Sequence, residues 1–175
     1  MHLSVAMTHE IPVTFETNLG ALHVLLDPVR APETVDNFLD YVDKKHYDGT
    51  VLHRIIRHYI VQGGGYDAEY KKLPVGEPIA NEADNGLSNL KGTLSMAHLT
   101  DPASATAQWF FNVEDNPFLD HRGAAPYDFG YAVFGHLVLG MDVLDRIRDL
   151  PTGPHAPFKK DVPLEPLIVQ AIRRG

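Results

Sequence analysis

Between Val51 and Leu139 the apolar residues fall into short runs, Val51–Gln62, Gly92–Ala97, Gln108–Val113 and Tyr131–Leu139, each cut off by glycine, proline or a polar cluster. Runs this brief do not make amphipathic helices, and no helical stretch alternates with them as a βαβ unit requires. They predict an all-β sandwich or barrel. A closed barrel is the favoured form, because closure removes edge strands that invite aggregation. Ahead of this region Val13 and Phe15 alternate with Glu16 and Asn18, and after Asn18-Leu19-Gly20 the pattern resumes through Leu26, which predicts a hairpin. Pro32 and Glu33 then suit a first helical turn, and Val35, Phe38, Leu39 and Val42 share one face, so a helix is expected over about Pro32 to Lys44. A second is expected from Met141 to Asp149, stopped by Pro151, and a final strand over Val162–Arg173, in which Leu167 and Val169 alternate against Ile168 and Gln170. The expected architecture is a closed β-barrel whose open ends the two helices can cap.

At 175 residues one core suffices, and 44% hydrophobic with 22% charged residues leaves no room for a long disordered arm. The expected organisation is an N-terminal extension, 1–12, followed by one domain, 13–175. A net charge of −8 repels phosphate backbones and anionic lipid, which argues against nucleic acid or membrane partners. Without cysteine, disulfides, thiolate nucleophiles and Cys-containing zinc motifs are excluded together. The first eleven residues lack the basic and apolar regions of a signal peptide, so a cytoplasmic location is expected, and Met7 offers an alternative start.

Several motifs fail on context. Gly63-Gly64-Gly65-Tyr66-Asp67-Ala68 fits a dinucleotide fingerprint, with Glu82 and Asp84 downstream, but Pro74 and Pro78 prevent the helix that should open there; glycines at a sharp barrel corner are the plainer reading. The ten histidines show no metal-ligand spacing, and Ser95 sits in an apolar run without a nucleophile elbow. No organic cofactor or metal is expected. What remains is a cation, Arg54, in the apolar run Val51–Ile56, with Gln62 on the next extended stretch and Gln108 and Phe110 on one face of another, Trp109 on its opposite face. Such an arginine is ordinarily a strand residue facing water. Together with two amides and an aromatic wall it can instead line a concave site.

The run Leu52-His53-Arg54-Ile55-Ile56-Arg57-His58-Tyr59-Ile60-Val61-Gln62-Gly63-Gly64 resembles the cyclophilin signature F-H-R-V-I-x-x-F-M-x-Q-G-G. Gly92–Ala97 and Gln108–Phe111 are similar to the family's G-x-L-S-M-A and Q-F-F-I, Phe118-Leu119-Asp120 to W-L-D, Val133-Phe134-Gly135 to V-F-G, and Ala31–Phe38 is also typical. In order along nearly the whole chain, these most closely resemble the bacterial branch. The resemblance implies a closed eight-stranded antiparallel β-barrel capped by two helices, with peptidyl-prolyl cis/trans isomerisation in a groove on its outer face and protein folding assisted. Arg54 would be catalytic, and Tyr59, Ile60, Phe110, Phe118 and Leu119 would form the proline pocket. Gln62 would orient Arg54, while Gln108 and the main chain at His98 hold the substrate backbone; His53, Ala97, Leu99 and Tyr131 complete the implied substrate contacts.

A guanidinium suits this chemistry because it stays charged and offers several donors in a rigid fork, one of which can meet the prolyl nitrogen as it loses conjugation. Tyr59 and Ile60 replace the common Phe and Met, keeping the wall apolar. Phe118 stands where many eukaryotic members have tryptophan, removing an indole donor that helps bind cyclosporin there, so weak cyclosporin binding is expected. Tyr131 stands where those members have histidine, after an insertion over Asp120–Gly130. The implied partners are proline-containing segments of client proteins, and a monomer is the default. The other open reading is a proline-peptide binding or chaperone module without useful catalysis, against which the retained Arg54 argues.

Overall fold

The computed structural model describes residues 9–175. The extension expected over 1–12, with its alternative start at Met7, therefore lies largely outside the described residues. The strands are β1 (Ile11–Thr17), β2 (Gly20–Leu26), β3 (Thr50–Val51), β4 (Arg54–Ile55), β5 (Ile60–Gly63), β6 (Thr93–Met96), β7 (Trp109–Asn112), β8 (Val133–Leu139), β9 (Thr152–His155), β10 (Phe158–Pro163) and β11 (Ile168–Arg174). The helices are α1 (Pro32–Asp43) and α2 (Met141–Arg148), close to their expected bounds. Neither is long and apolar enough to cross a membrane.

Nine strands form one antiparallel sheet in the order β3-β11-β1-β2-β8-β6-β7-β5-β4, and β9 pairs with β10 in a separate ribbon. This corrects the closed eight-stranded barrel. The sheet's two edge strands, β3 and β4, are consecutive in the chain and joined only by Leu52 and His53. β3 pairs only with β11 and β4 only with β5, so the chain runs on from one edge of the sheet to the other without pairing them. The sheet curls until its edges meet through the chain itself, and the ladder does not close. The final strand is also corrected: Val162 belongs to β10, and the terminal strand starts at Ile168.

Alternation in β1 and β2 buries Val13, Phe15, Leu22, Val24 and Leu26 on the concave side. There Phe15 meets Trp109 at 5.0 Å and Phe111 at 5.2 Å between ring centroids, while Phe38 from α1 meets Phe134 at 5.2 Å and Tyr47 at 5.3 Å. Edge, tilted and stacked contacts of this kind add to the burial of large rings. The first turn of α1 leaves amide hydrogens without helical partners, and Glu82 supplies acceptors for them: Thr34 donates from its backbone nitrogen and its hydroxyl, each at 2.6 Å, and the Glu33 amide donates at 3.3 Å. The acid that followed the glycine-rich run is thus a helix cap. In α2, Val143, Leu144 and Ile147 face the core, and Arg148 reaches back to donate to the Val113 carbonyl and to Glu114.

Candidate active site

Strand register selects the residues that share a surface. Arg54 pairs with Gln62, Gln62 with Phe110 and Phe110 with Ser95, so one row across β4, β5, β7 and β6 points to the convex side. The adjacent row, Ile55, Val61, Phe111 and Leu94, points into the core, as does the pair Gly63 and Trp109. The predicted split of Phe110 from Trp109 is therefore realised.

On the convex face Ile60, Phe110 and Leu119 form a small buried apolar cluster with Tyr59, Ala97 and Tyr131 packed against it. Arg54, Tyr59, Ile60, Gln62, Ala97, His98, Phe110, Leu119 and Tyr131 line one recess. Nine of the residues singled out in the sequence thus come together. Phe118 sits at the rim, 56% exposed and stacked on Tyr59 at 5.5 Å. Gln108 lies in the adjoining recess, which Gln62, Ala97 and Leu99 also border. Leu99 is 76% exposed and stands away from the apolar cluster. His53 is not on the recess wall: it is buried, with its ring against Tyr66 at 4.6 Å and Phe158 at 5.2 Å.

A chain of amides fixes the polar side. Arg54 Nη1 donates to Gln62 Oε1 at 3.3 Å, and Gln62 Nε2 donates to Gln108 Oε1 at 2.9 Å. Gln108 can lie there because Gly65 has no side chain; a Cβ on Gly65 would come within 2.6 Å of the Gln108 amide nitrogen. Arg54 itself is exposed, with its remaining donors free for a ligand. On the other side the Tyr131 ring lies flat on His98 at 4.1 Å and edge-on to Phe110 at 5.6 Å. Burial raises the Tyr59 phenol above its usual range, with Tyr131 adding to the shift and Arg54 opposing it, so Tyr59 is neutral and packs as a wall. Burial and the neighbouring Arg54 push His53 down to about 4, and its Nδ1 is buried without a partner.

Sequence reasoning missed the frame beneath the pocket. Asn89 donates from its side-chain amide to Asp120 at 2.9 Å and accepts from Ser95 at 2.7 Å and Asn112 at 3.0 Å. Asn116 donates to Asn112 at 2.9 Å and to the Tyr59 carbonyl at 3.0 Å. These buried amides tie the loop carrying Leu119 and the turn carrying Tyr59 to β6 and β7. One signal was available: an asparagine, Asn112, ends the otherwise apolar run Trp109-Phe110-Phe111.

With this geometry, a family model described as cyclophilin type peptidyl-prolyl cis-trans isomerase/CLD matches residues 12–170. The chain belongs to the cyclophilin family. Peptidyl-prolyl cis-trans isomerase A of Dickeya dadantii is 45% identical over 168 residues, spanning 96% of this cyclophilin and 86% of that protein. Peptidyl-prolyl cis-trans isomerase B of Escherichia coli is 46% identical over 160 residues, spanning 91% and 97%. Among solved structures, a Cryptosporidium parvum cyclophilin-type isomerase superposes with a TM-score of 0.78 at 24% identity, covering 95% of this chain and 98% of that one. The same fold is seen in that isomerase in the presence of the dipeptide Ala-Pro, with a TM-score of 0.76 at 24% identity over 94% and 98%. Membership rests on the family match and the bacterial relatives; the solved structures add the fold.

Proposed function

We propose that this cyclophilin accelerates rotation about X-Pro bonds of client proteins by clamping the proline ring in the Ile60, Phe110 and Leu119 pocket and offering an Arg54 N–H to the prolyl nitrogen. The barrier to rotation is about 18–20 kcal/mol because amide conjugation must break. As the bond twists, the nitrogen lone pair leaves conjugation and accepts a hydrogen bond that neither planar ground state can make. A donor aimed there stabilises the twisted state selectively. The observation that carries the reading is the relay Gln108–Gln62–Arg54, which sets a free guanidinium at the edge of a buried apolar recess.

Burying the three ring methylenes contributes roughly 2 kcal/mol, enough to hold the ring while the acyl side turns. Gln108 and the His98 main chain then steady the residue before proline, with Ala97, Tyr131 and Phe118 as walls and rim. His53 and Leu99 act at most from the margin. The site needs no proton transfer, so turnover depends little on pH wherever the fold is stable. Residues 13–175 act as one unit, as a monomer in the cytoplasm, and clients are chains whose folding waits on slow X-Pro bonds. The reading is tested by titrating an Ala-Pro peptide into isotopically labelled protein. Joint shifts at Ile60, Phe110 and Leu119, together with exchange between cis and trans peptide signals, support it; binding elsewhere on the surface contradicts it.

A further inference from the structure

The ribbon of β9 and β10 stands against the Arg54 side of the groove and has no part in the isomerisation mechanism. Phe158, Lys159, Lys160 and Asp161 line a recess together with His53, Arg54 and Gln62. Its foot is fixed: the Phe158 ring lies 4.8 Å from Tyr66 and 5.2 Å from His53, and His155 lies 4.1 Å from Tyr70. Its outer part departs from a regular ladder. Phe158 pairs with His155 but Val162 with Gly153, so β10 advances four residues while β9 advances two. Asp161 takes a left-handed φ of 66° to accommodate the excess. Bulges of this kind re-aim side chains beside active sites. Here the bulge leaves the consecutive residues Lys159 and Lys160 both exposed, where a regular strand would turn one of them inward.

The result is two ammonium groups beside a guanidinium in a chain of net charge −8. None of the ion pairs among the described residues includes Lys159, Lys160 or Arg54. Asp161 contributes one opposing carboxylate to the same recess, which leaves an excess of positive charge. On the proposed reading the residue before proline rests against Gln108, and Gln108 with Ala97 borders the recess on the other side of Gln62. The peptide segment C-terminal to the proline is therefore directed past Arg54 toward the ribbon.

Resting on the isomerase reading, we propose that Lys159 and Lys160 extend the groove as a cationic subsite that selects client segments carrying a carboxylate one or two residues after the proline. Because the net charge is negative, the selection is local and depends on where the acid stands in the peptide, not on long-range attraction.

The test uses the full chain and Ala-Pro peptides with Glu, Ala or Lys at the first or second position after proline, and a matched set with the same substitutions before the alanine. The readout is the ratio of kcat/KM between the Glu and Lys peptides within one protein. The proposal expects a ratio of roughly three- to ten-fold for the set after proline, as exposed charge contacts allow. It expects the ratio to approach one at about 0.5 M salt, and to invert in the Lys159→Glu/Lys160→Glu variant. A ratio near one at low salt, or an equal preference in the set before proline, overturns the subsite. Turnover of the neutral peptide without charge selection defeats the subsite alone. If the neutral peptide binds but is not turned over, the isomerase reading fails, and the same ratio read as peptide affinity still decides the subsite.

Discussion

The two sides of the groove are built on opposite principles. On one, Ile60, Phe110 and Leu119 are each at most 5% exposed and rest on a buried amide frame. On the other, Arg54 projects from a two-residue edge strand, exposed, and is oriented by a single 3.3 Å hydrogen bond to Gln62. The difference teaches a division of labour. On the proposed mechanism the ring clamp must be rigid and dry, because its stabilisation comes from burial. On the same mechanism the donor must stay reachable by a flexible chain in transit, which agrees with polar contacts at the sheet's edge as its only hold. Damage to the first side should appear as lost stability and weakened peptide affinity, and damage to the second as lost turnover in a folded protein.

The sharpest way to break this division is Phe110→Ala. Removing a buried ring is expected to cost about 3–5 kcal/mol of stability, read from urea unfolding, and to raise KM. A variant as stable as the parent would mean that the pocket is not part of the packed structure. Nearly as large is the effect of acid on the packed layer beneath Arg54, where His53 is buried. His53 titrates near 4 when folded and near 6.5 when unfolded, so between those values the unfolded chain binds the additional proton. Its contribution is fully present above about pH 6.5 and falls by about 3 kcal/mol as pH drops to about 4. In His53→Leu that part of the pH dependence should vanish; an unchanged slope would place the sensitivity elsewhere.

Smaller effects sharpen the comparison. Gln62→Leu leaves Arg54 without its orienting acceptor and is expected to lower kcat about ten-fold with little change in KM, since pre-organisation is lost and the clamp is not. A change confined to KM would make Gln62 a binding residue. The smallest perturbation is at the rim: Phe118→Trp places an indole N–H beside Tyr59 and should tighten cyclosporin binding several-fold over the weak binding expected of the parent, in a direct titration. Nanomolar inhibition of the parent would contradict the role given to Phe118.

Much of this division was legible in the chain. Alternation separated Phe110 from Trp109, and the run from Leu52 to Gly64 carried Arg54, Tyr59, Ile60 and Gln62 together because two short strands and one turn hold them all. The β9–β10 ribbon was not legible: Gly153 and Pro154 break the strand pattern, and the bulge at Asp161 destroys the two-residue period in β10. The frame of Asn89, Asn112 and Asn116 escaped because Asn89 stands 23 residues before Asn112 and meets it only when β6 and β7 pair. The closed barrel was expected because closure removes edge strands, and its eight strands because the family resemblance implied them, whereas the edge strands β3 and β4 stay unpaired with each other and the sheet meets only through the chain between them.

The central claim is most directly tested at Arg54, by NMR exchange of an Ala-Pro peptide with the parent, Arg54→Lys and Arg54→Ala. The account predicts active parent protein, a loss of about a hundred-fold or more in turnover for Arg54→Ala with fold and peptide affinity retained, and only partial recovery in Arg54→Lys, whose point charge lacks the planar fork. A parent that binds the peptide without accelerating exchange, or an Arg54→Ala variant as active as the parent, would contradict it.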